Sequence, residues 1–118
     1  MPTEPAPLTL AEVVHRAVET CDDDSPALDE LLEHFEDADE PIAGLDVERR
    51  LEVAMGPRED DDDPAFTMAW AVIVYLARRR DEITADPVEL LTLAARAEFN
   101  GSPPPDVQTW LEQRGIAA

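Results

Sequence analysis

Three cap-and-proline pairs divide this chain into helices. Ser25-Pro26, Asp63-Pro64 and Asp86-Pro87 each place a side-chain acceptor immediately before a proline. Serine and aspartate are favoured at the N-cap of a helix because their oxygens accept a backbone N–H of the first turn. Proline is favoured at the first helical position, where its missing N–H breaks no hydrogen bond. Each pair therefore predicts the start of a helix.

Other start and stop signals predict the remaining helices. Thr9 and Glu12 resemble a capping box, and Gly56-Pro57 and Asn100-Gly101 are typical helix ends. The predicted helices cover residues 10–21, 26 through Phe35, 46–55, 64–80, 87–99 and 105 or 106 to 114. None of the segments is convincing as a strand, so the predicted fold class is all-α.

The segment 64–80 is predicted to be the centre of the fold. Its apolar residues form two stripes at helical spacing, Phe66, Trp70, Ile73 and Ala77 in one and Met68, Val72 and Leu76 in the other. A helix that is apolar nearly all round is a buried one. The β-branched run 72–75 could also form a strand, but the N-cap, the length and the terminal arginines favour a helix. The sequence therefore predicts a compact bundle of about six short helices around a central apolar helix near 64–80.

Length and cysteine content predict one soluble intracellular domain. The 118 residues suffice for a single core, and we expect one all-helical domain over 1–118 with residues 1–8 flexible. Cys21 is the single cysteine, so no internal disulfide is expected. The first ten residues lack the features of a signal peptide, and the longest apolar run, 65–77, is too short to span a bilayer. We expect a cytoplasmic protein without membrane contact.

Charge is the abnormal part of the composition. The chain has 28 acidic and 9 basic residues, a net charge of −19, and every base is arginine. The acids recur along the whole chain, which indicates a property of the surface rather than an acidic tail. A halophile's cytoplasm explains such a surface, since molar salt shortens the Debye length to about 3 Å. A GC-rich genome explains the missing lysine but not the excess of acids. In composition the chain resembles small acidic haloarchaeal-type cytosolic proteins.

The acidic run Glu59–Asp63 could bind a divalent cation. Hard cations prefer several carboxylate oxygens, but a calcium loop also needs glycine at its sixth position and glutamate at its twelfth. Loops starting at Asp60 or Asp22 do not meet both requirements. We therefore interpret the run as helix capping on an acidic surface, and no metal is expected.

No constellation of residues predicts catalysis. His15, Cys21 and His34 are too few and too scattered for a zinc site, and Cys21 lies on the apolar stripe of the first helix, where we expect a core thiol. The four glycines form no phosphate-binding loop, and the carboxylates are too numerous for any pair to stand out. We expect no catalytic residue, no cofactor and no enzymatic activity.

The segment ARAEFNGSPPPDVQTWLEQRG resembles a helix-turn-helix motif. Counted from Ala97, Gly101 lies four residues on, and the apolar Val107 and Trp110 lie ten and thirteen residues on. In such motifs the small residue lets the helices cross closely and the glycine forms the turn. The resemblance implies a DNA-binding hairpin over residues 87–114, with contacts from Gln108, Thr109 and Arg114.

The segment also departs from that motif. Arg96, Asn100 and Ser102 stand where apolar residues are usual, and Arg114 is the only base of the supposed recognition helix, although phosphate binding relies on basic residues. The preferred interpretation is a helical hairpin that packs Trp110 and Leu111 on the core.

Arg78, Arg79 and Arg80 form the densest basic patch. They could contact nucleic acid or an acidic partner. Since they end a predicted helix and precede Asp81 and Glu82, we expect them to complement the helix dipole and to pair locally.

These observations predict a non-enzymatic protein–protein interaction or regulatory module adapted to high salt, with a protein partner. The alternative is a DNA-binding transcriptional regulator or accessory factor that uses segment 87–114. A second alternative is an acidic nucleic-acid mimic that binds a basic protein. The sequence indicates no oligomeric state.

Overall fold

The computed structural model describes residues 8–57 and 63–116. In these residues six α-helices and one short 3-10 helix, Arg80–Thr84, form the fold, and Thr9 and Pro41 form an isolated antiparallel bridge. The α-helices are α1 (Leu10–Cys21), α2 (Pro26–Phe35), α3 (Val47–Met55), α4 (Pro64–Arg78), α5 (Pro87–Phe99) and α6 (Pro105–Glu112). The predicted all-α class is confirmed.

All three cap-and-proline pairs open a helix as predicted. In each pair the cap oxygen accepts the backbone N–H two residues later: Ser25 from Ala27 at 3.3 Å, Asp63 from Ala65 at 3.2 Å and Asp86 from Val88 at 3.1 Å. The proline between acceptor and donor has no N–H to offer. Removing a cap of this kind typically costs about 1 kcal/mol.

α4 is buried along most of its length. All residues from Ala65 to Val74 are buried, and so is Leu76. α4 packs against each of the other five α-helices and against the 3-10 helix, with its most extensive contacts to α5 and α1. Burying one large apolar side chain stabilises the fold by about 1.5–3 kcal/mol, so α4 supplies much of the core energy.

α4 ends at Arg78, two residues before the predicted end. Arg79 leaves the helical conformation with φ −129° and ψ 66°. The 3-10 helix that follows is held by Arg16 of α1, whose Nε donates to the carbonyl of Ile83 at 2.8 Å and whose Nη2 donates to that of Ala85 at 2.6 Å. This contact joins residues 67 and 69 positions apart, so the local sequence could not indicate it.

α6 ends at Glu112, before the predicted Arg114. Gly115 takes a φ of +75°, a left-handed conformation that glycine adopts without a steric penalty. The N–H of Ile116 then donates to the carbonyl of Leu111 at 3.0 Å, and the Ile116 side chain is buried. This arrangement is a Schellman-type helix end.

The segment after α2 accepts hydrogen bonds from the first turn of α1. The N–H groups of Leu10 and Ala11 donate to the carbonyls of Glu40 and Ala38, at 3.0 and 2.8 Å. Of the predicted flexible segment 1–8, residues 1–7 lie outside the described residues, while the carbonyl of Leu8 accepts the N–H of Ile42 at 3.0 Å. In the part of the chain described here, no helix has the length and apolar character needed to cross a membrane.

Candidate interaction surface

The arginines of the basic patch lie where α4 ends and the chain changes direction. Arg78 is the last residue of α4, and the N–H of Arg79 still donates to the carbonyl of Tyr75 at 2.9 Å. Arg80 begins the 3-10 helix. All three side chains are exposed. Their positive charges therefore lie at a helix C-terminus, whose carbonyls carry negative partial charge, as predicted for the helix dipole.

A cleft of about 450 Å³ opens beside these arginines, between α4 and α5, and is called here the α4–α5 cleft. Part of its lining is small or apolar: Ala71, Val74, Leu93 and Ala97. The rest is polar or charged: Glu48, Tyr75, Arg78, Arg79 and Glu98. Protein–protein interfaces likewise combine apolar and polar residues.

Two of the three arginines have no ion-pair partner among the described residues. The Nη2 of Arg78 lies 3.9 Å from Oε1 of Glu48, with 76% of the arginine side chain and 52% of the glutamate side chain exposed. Arg79 and Arg80 form no ion pair within residues 8–57 and 63–116. The expected pairing with the neighbouring Asp81 and Glu82 is therefore wrong. The guanidinium groups of Arg79 and Arg80 remain available to an outside group.

The candidate DNA-contact residues of segment 87–114 do not all lie on one exposed surface. Gln108 and Thr109 are exposed on α6, where Gln108 Nε2 donates to Glu112 Oε1 at 3.3 Å and Thr109 Oγ1 donates to the carbonyl of Pro105 at 2.9 Å. Arg114 turns away from them and into the fold, where 24% of its side chain is exposed.

Arg114 closes a network that joins α6 to the end of α1. Its Nη2 lies 3.0 Å from Oδ2 of Asp23, and Trp110 Nε1 donates to the same oxygen at 3.0 Å. Its Nε donates to the carbonyl of Cys21 at 3.2 Å. The guanidinium carbon lies 3.6 Å from the centroid of the Trp110 ring, a cation–π contact worth about 0.5–2 kcal/mol. Arg114 is thus a structural residue in this fold.

Asp23 holds this network together as a carboxylate. The hydrogen bond from Trp110 lowers the pKa of Asp23 below its ordinary value of 3.8, and the N–H of Ser25 and the charge of Arg114 lower this pKa further. Burial raises the pKa of Asp23, but 28% of the side chain is still exposed. The network therefore favours the ionised form of Asp23.

Replacing Asp23 by asparagine is expected to lower the free energy of unfolding by about 1–3 kcal/mol at neutral pH. The native pKa is lowered, so this stabilisation is complete above the ordinary value of 3.8 and is lost as the pH falls through the native pKa. The difference in unfolding free energy between wild type and Asp23→Asn should therefore shrink below pH 3.8. Urea unfolding across pH measures it, with Asp24→Asn at the exposed neighbouring carboxylate as the matched control. A difference that stays constant to low pH would contradict the assignment.

Segment 87–114 packs Trp110 and Leu111 on the core, as the preferred interpretation predicts, but α5 and α6 do not pack closely against each other as a hairpin would. Val107, Trp110 and Leu111 are buried in the common core, and α6 packs against α4. Ala97, the small residue that would sit between crossing helices in a helix-turn-helix motif, is instead exposed and lines the α4–α5 cleft. DNA contact by this segment stays a prediction.

The metal and nucleophile candidates do not come together. Cys21 is buried, as expected for a core thiol, and burial raises its pKa to about 12, so the thiolate is not populated at neutral pH. His15 and His34 are exposed. In residues 8–57 and 63–116 no group of three or more His, Cys, Asp or Glu could hold a metal ion. Residues 59–62 of the acidic run lie outside the described residues, and Asp63 caps α4.

Comparison with family models, with curated proteins and with solved structures finds no match to this chain. Sequence reasoning placed Arg78 to Arg80 at a helix end but missed the cleft beside them. The one sequence signal for the Arg114 network is the spacing of Trp110 and Arg114, four residues apart on a helix, which allows the two side chains to meet.

Proposed function

We propose that this protein is a non-enzymatic protein–protein interaction module that works at high salt, and that the α4–α5 cleft binds its partner. The supporting observation is the position of Arg78, Arg79 and Arg80. All three are exposed, and Arg78 and Arg79 line the partly apolar cleft. Arg79 and Arg80 have no ion pair within the described residues. Arginine is enriched at protein–protein interfaces, where its guanidinium binds carboxylates through two hydrogen bonds.

Adaptation to high salt is supported by where the acids lie. The described acidic residues are exposed except at Asp23, Glu40, Glu82 and Glu98. In dilute buffer such a surface repels itself, and molar salt removes most of that repulsion.

Protein binding is favoured over DNA binding by the charges of α6. Its exposed side chains include Asp106 and Glu112, whereas the nearby base, Arg114, is engaged by Asp23. Phosphate contacts depend on available lysine and arginine. Two exposed arginines in a partly apolar cleft lining fit a protein partner better.

Charge reversal at the cleft is expected to weaken partner binding strongly. The tagged wild type and an Arg78→Glu/Arg79→Glu variant are used for affinity capture from host lysate at native ionic strength, with and without nuclease, and read by mass spectrometry. The control, Arg49→Glu/Arg96→Glu, changes the net charge equally at two exposed arginines outside the cleft lining. A discrete partner should survive nuclease, bind the control normally and fall about tenfold or more with the cleft variant.

Each other result identifies a different function. Nuclease-sensitive recovery of DNA and transcription proteins, lost on replacement of Gln108 and Thr109, would support the regulator. A basic protein that binds all three forms equally would support nucleic-acid mimicry. Turnover on a metabolite panel would contradict the non-enzymatic assignment.

A further inference from the structure

The α4–α5 cleft has the shape of a groove between two helices. On α4 its lining residues recur at positions 71, 74, 75 and 78, and on α5 at 93, 97 and 98, so each of these helices contributes one face, and Glu48 of α3 adds to the lining. Two of the four apolar members are alanines and a third is valine. Small side chains leave room for the side-chain ridge of a third helix, the way helices pack in bundles and in helix-in-groove complexes.

The positive charges of Arg78 and Arg79 favour a helix that carries carboxylates. Within the described residues, the ion-pair contact of Arg78 is a long one with Glu48, and Arg79 has no ion pair. Acids outnumber bases 28 to 9 in this chain, yet no carboxylate of the described residues pairs with either guanidinium at short distance. Carboxylates from a second molecule could form ion pairs with both arginines.

We infer that the α4–α5 cleft binds an amphipathic helix of a partner protein, whose apolar face fills the groove and whose carboxylates pair with Arg78 and Arg79. This inference rests on the proposed function and adds the chemical class of the partner. Apolar side chains spaced three and four residues apart contact chiefly Leu93 and Ala97, since Ala71 and Val74, which also line the cleft, are buried. The carboxylates lie at the end of the peptide nearest the C-terminus of α4.

A nucleic acid suits this cleft less well. Single strands bind where bases stack on aromatic side chains, and Tyr75, the aromatic residue of the lining, is half-buried. An apolar helix face needs neither a stacking platform nor a uniformly positive surface.

The acidic surface makes the salt dependence of this binding distinctive. The net charge of −19 repels an acidic peptide over a distance that falls from about 30 Å at 0.01 M salt to about 3 Å at 1 M. The arginine–carboxylate contacts and the apolar contacts act at short range and are weakened less. Affinity for an acidic helix should therefore rise with salt, whereas a basic ligand would bind more weakly.

The test is selection from a phage-displayed library of random peptides of about 16 residues, roughly four helical turns. The full chain is the target in about 1 M KCl, where long-range charge effects are screened. Enriched peptides should share apolar residues at helical spacing and Asp or Glu near one end. A synthetic copy of an enriched peptide should bind wild type and Arg49→Glu/Arg96→Glu with equal affinity. Its affinity for Arg78→Glu/Arg79→Glu should be about tenfold lower. Its affinity for wild type should be higher at about 1 M than at about 0.05 M KCl.

A steric variant keeps the test valid if the charge-reversed form does not fold. Ala97 is exposed, so Ala97→Trp should leave the fold intact, as checked by circular dichroism, and should block the groove. Enrichment of Lys- or Arg-rich peptides, no enrichment, binding that ignores both variants, or displacement by a single-stranded oligonucleotide would overturn the inference. If capture still yields a protein dependent on Arg78 and Arg79, the proposed function stands and only the acidic-helix partner is wrong.

Discussion

Replacing Trp110 by alanine is expected to lower the free energy of unfolding by about 3–5 kcal/mol, the usual cost of deleting a buried aromatic side chain. Trp110 is 5% exposed, and α6 reaches the core through it together with Val107 and Leu111. Its ring also supports the guanidinium of Arg114, and its Nε1–H donates to Asp23. One substitution therefore removes apolar packing, a cation–π contact and a charge-assisted hydrogen bond.

Trp110→Phe separates these contributions. Phenylalanine keeps most of the packing but cannot donate to Asp23, so we expect a loss of about 1–3 kcal/mol. Combining it with Asp23→Asn should cost less than the sum of the two single changes, because both remove the same hydrogen bond. Urea unfolding followed by far-UV circular dichroism measures all three variants. If the alanine variant costs under about 1 kcal/mol, α6 is not docked on α4 as described here.

The melting midpoint is expected to rise by roughly 10 °C or more between about 0.05 and 2 M KCl, since each kcal/mol moves the midpoint by several degrees in a domain of this size. The cause is the net charge of −19, spread over exposed acids that repel one another at low salt. Salt screens this repulsion while the apolar core centred on α4 is unaffected by charge. Calorimetry or circular dichroism at a series of KCl concentrations measures the shift.

A charge-reduced variant provides the control for this prediction. Glu30 and Glu33 are exposed on α2, and their side chains take part in no ion pair among the described residues. Glu30→Gln/Glu33→Gln should melt at a higher temperature than wild type at low salt and should respond less to KCl. A midpoint that does not change with KCl would remove the physical basis for a high-salt function.

The helix boundaries illustrate how far local sequence reasoning extends. The caps at Ser25, Asp63 and Asp86 were predictable because acceptor, proline and donor lie within three consecutive residues. The end of α4 was not predictable, because Arg78 to Arg80 contain no stop signal and the 3-10 helix is held by Arg16 from α1.

The role of Arg114 illustrates the limit for sites. As the base of a supposed recognition helix, it is a candidate for DNA contact in the alternative interpretation of segment 87–114. Its carboxylate partner, Asp23, is 91 positions away and is one of 28 acids, so the sequence does not indicate which acid it meets. The sequence does not indicate the α4–α5 cleft either. Its lining comes from α3, α4 and α5 and depends on how those helices cross.

The sequence by itself determined the helices, their order, the burial of the segment that became α4 and the acidic character of the surface. These properties follow from residue spacing, capping chemistry and charge, which act within a few residues or on the whole chain at once. The tertiary structure decided which charges are satisfied: Arg114 is engaged by Asp23, while Arg79 and Arg80 have no ion pair within the described residues. That choice depends on distances between residues far apart in sequence, which only the packing of the helices fixes.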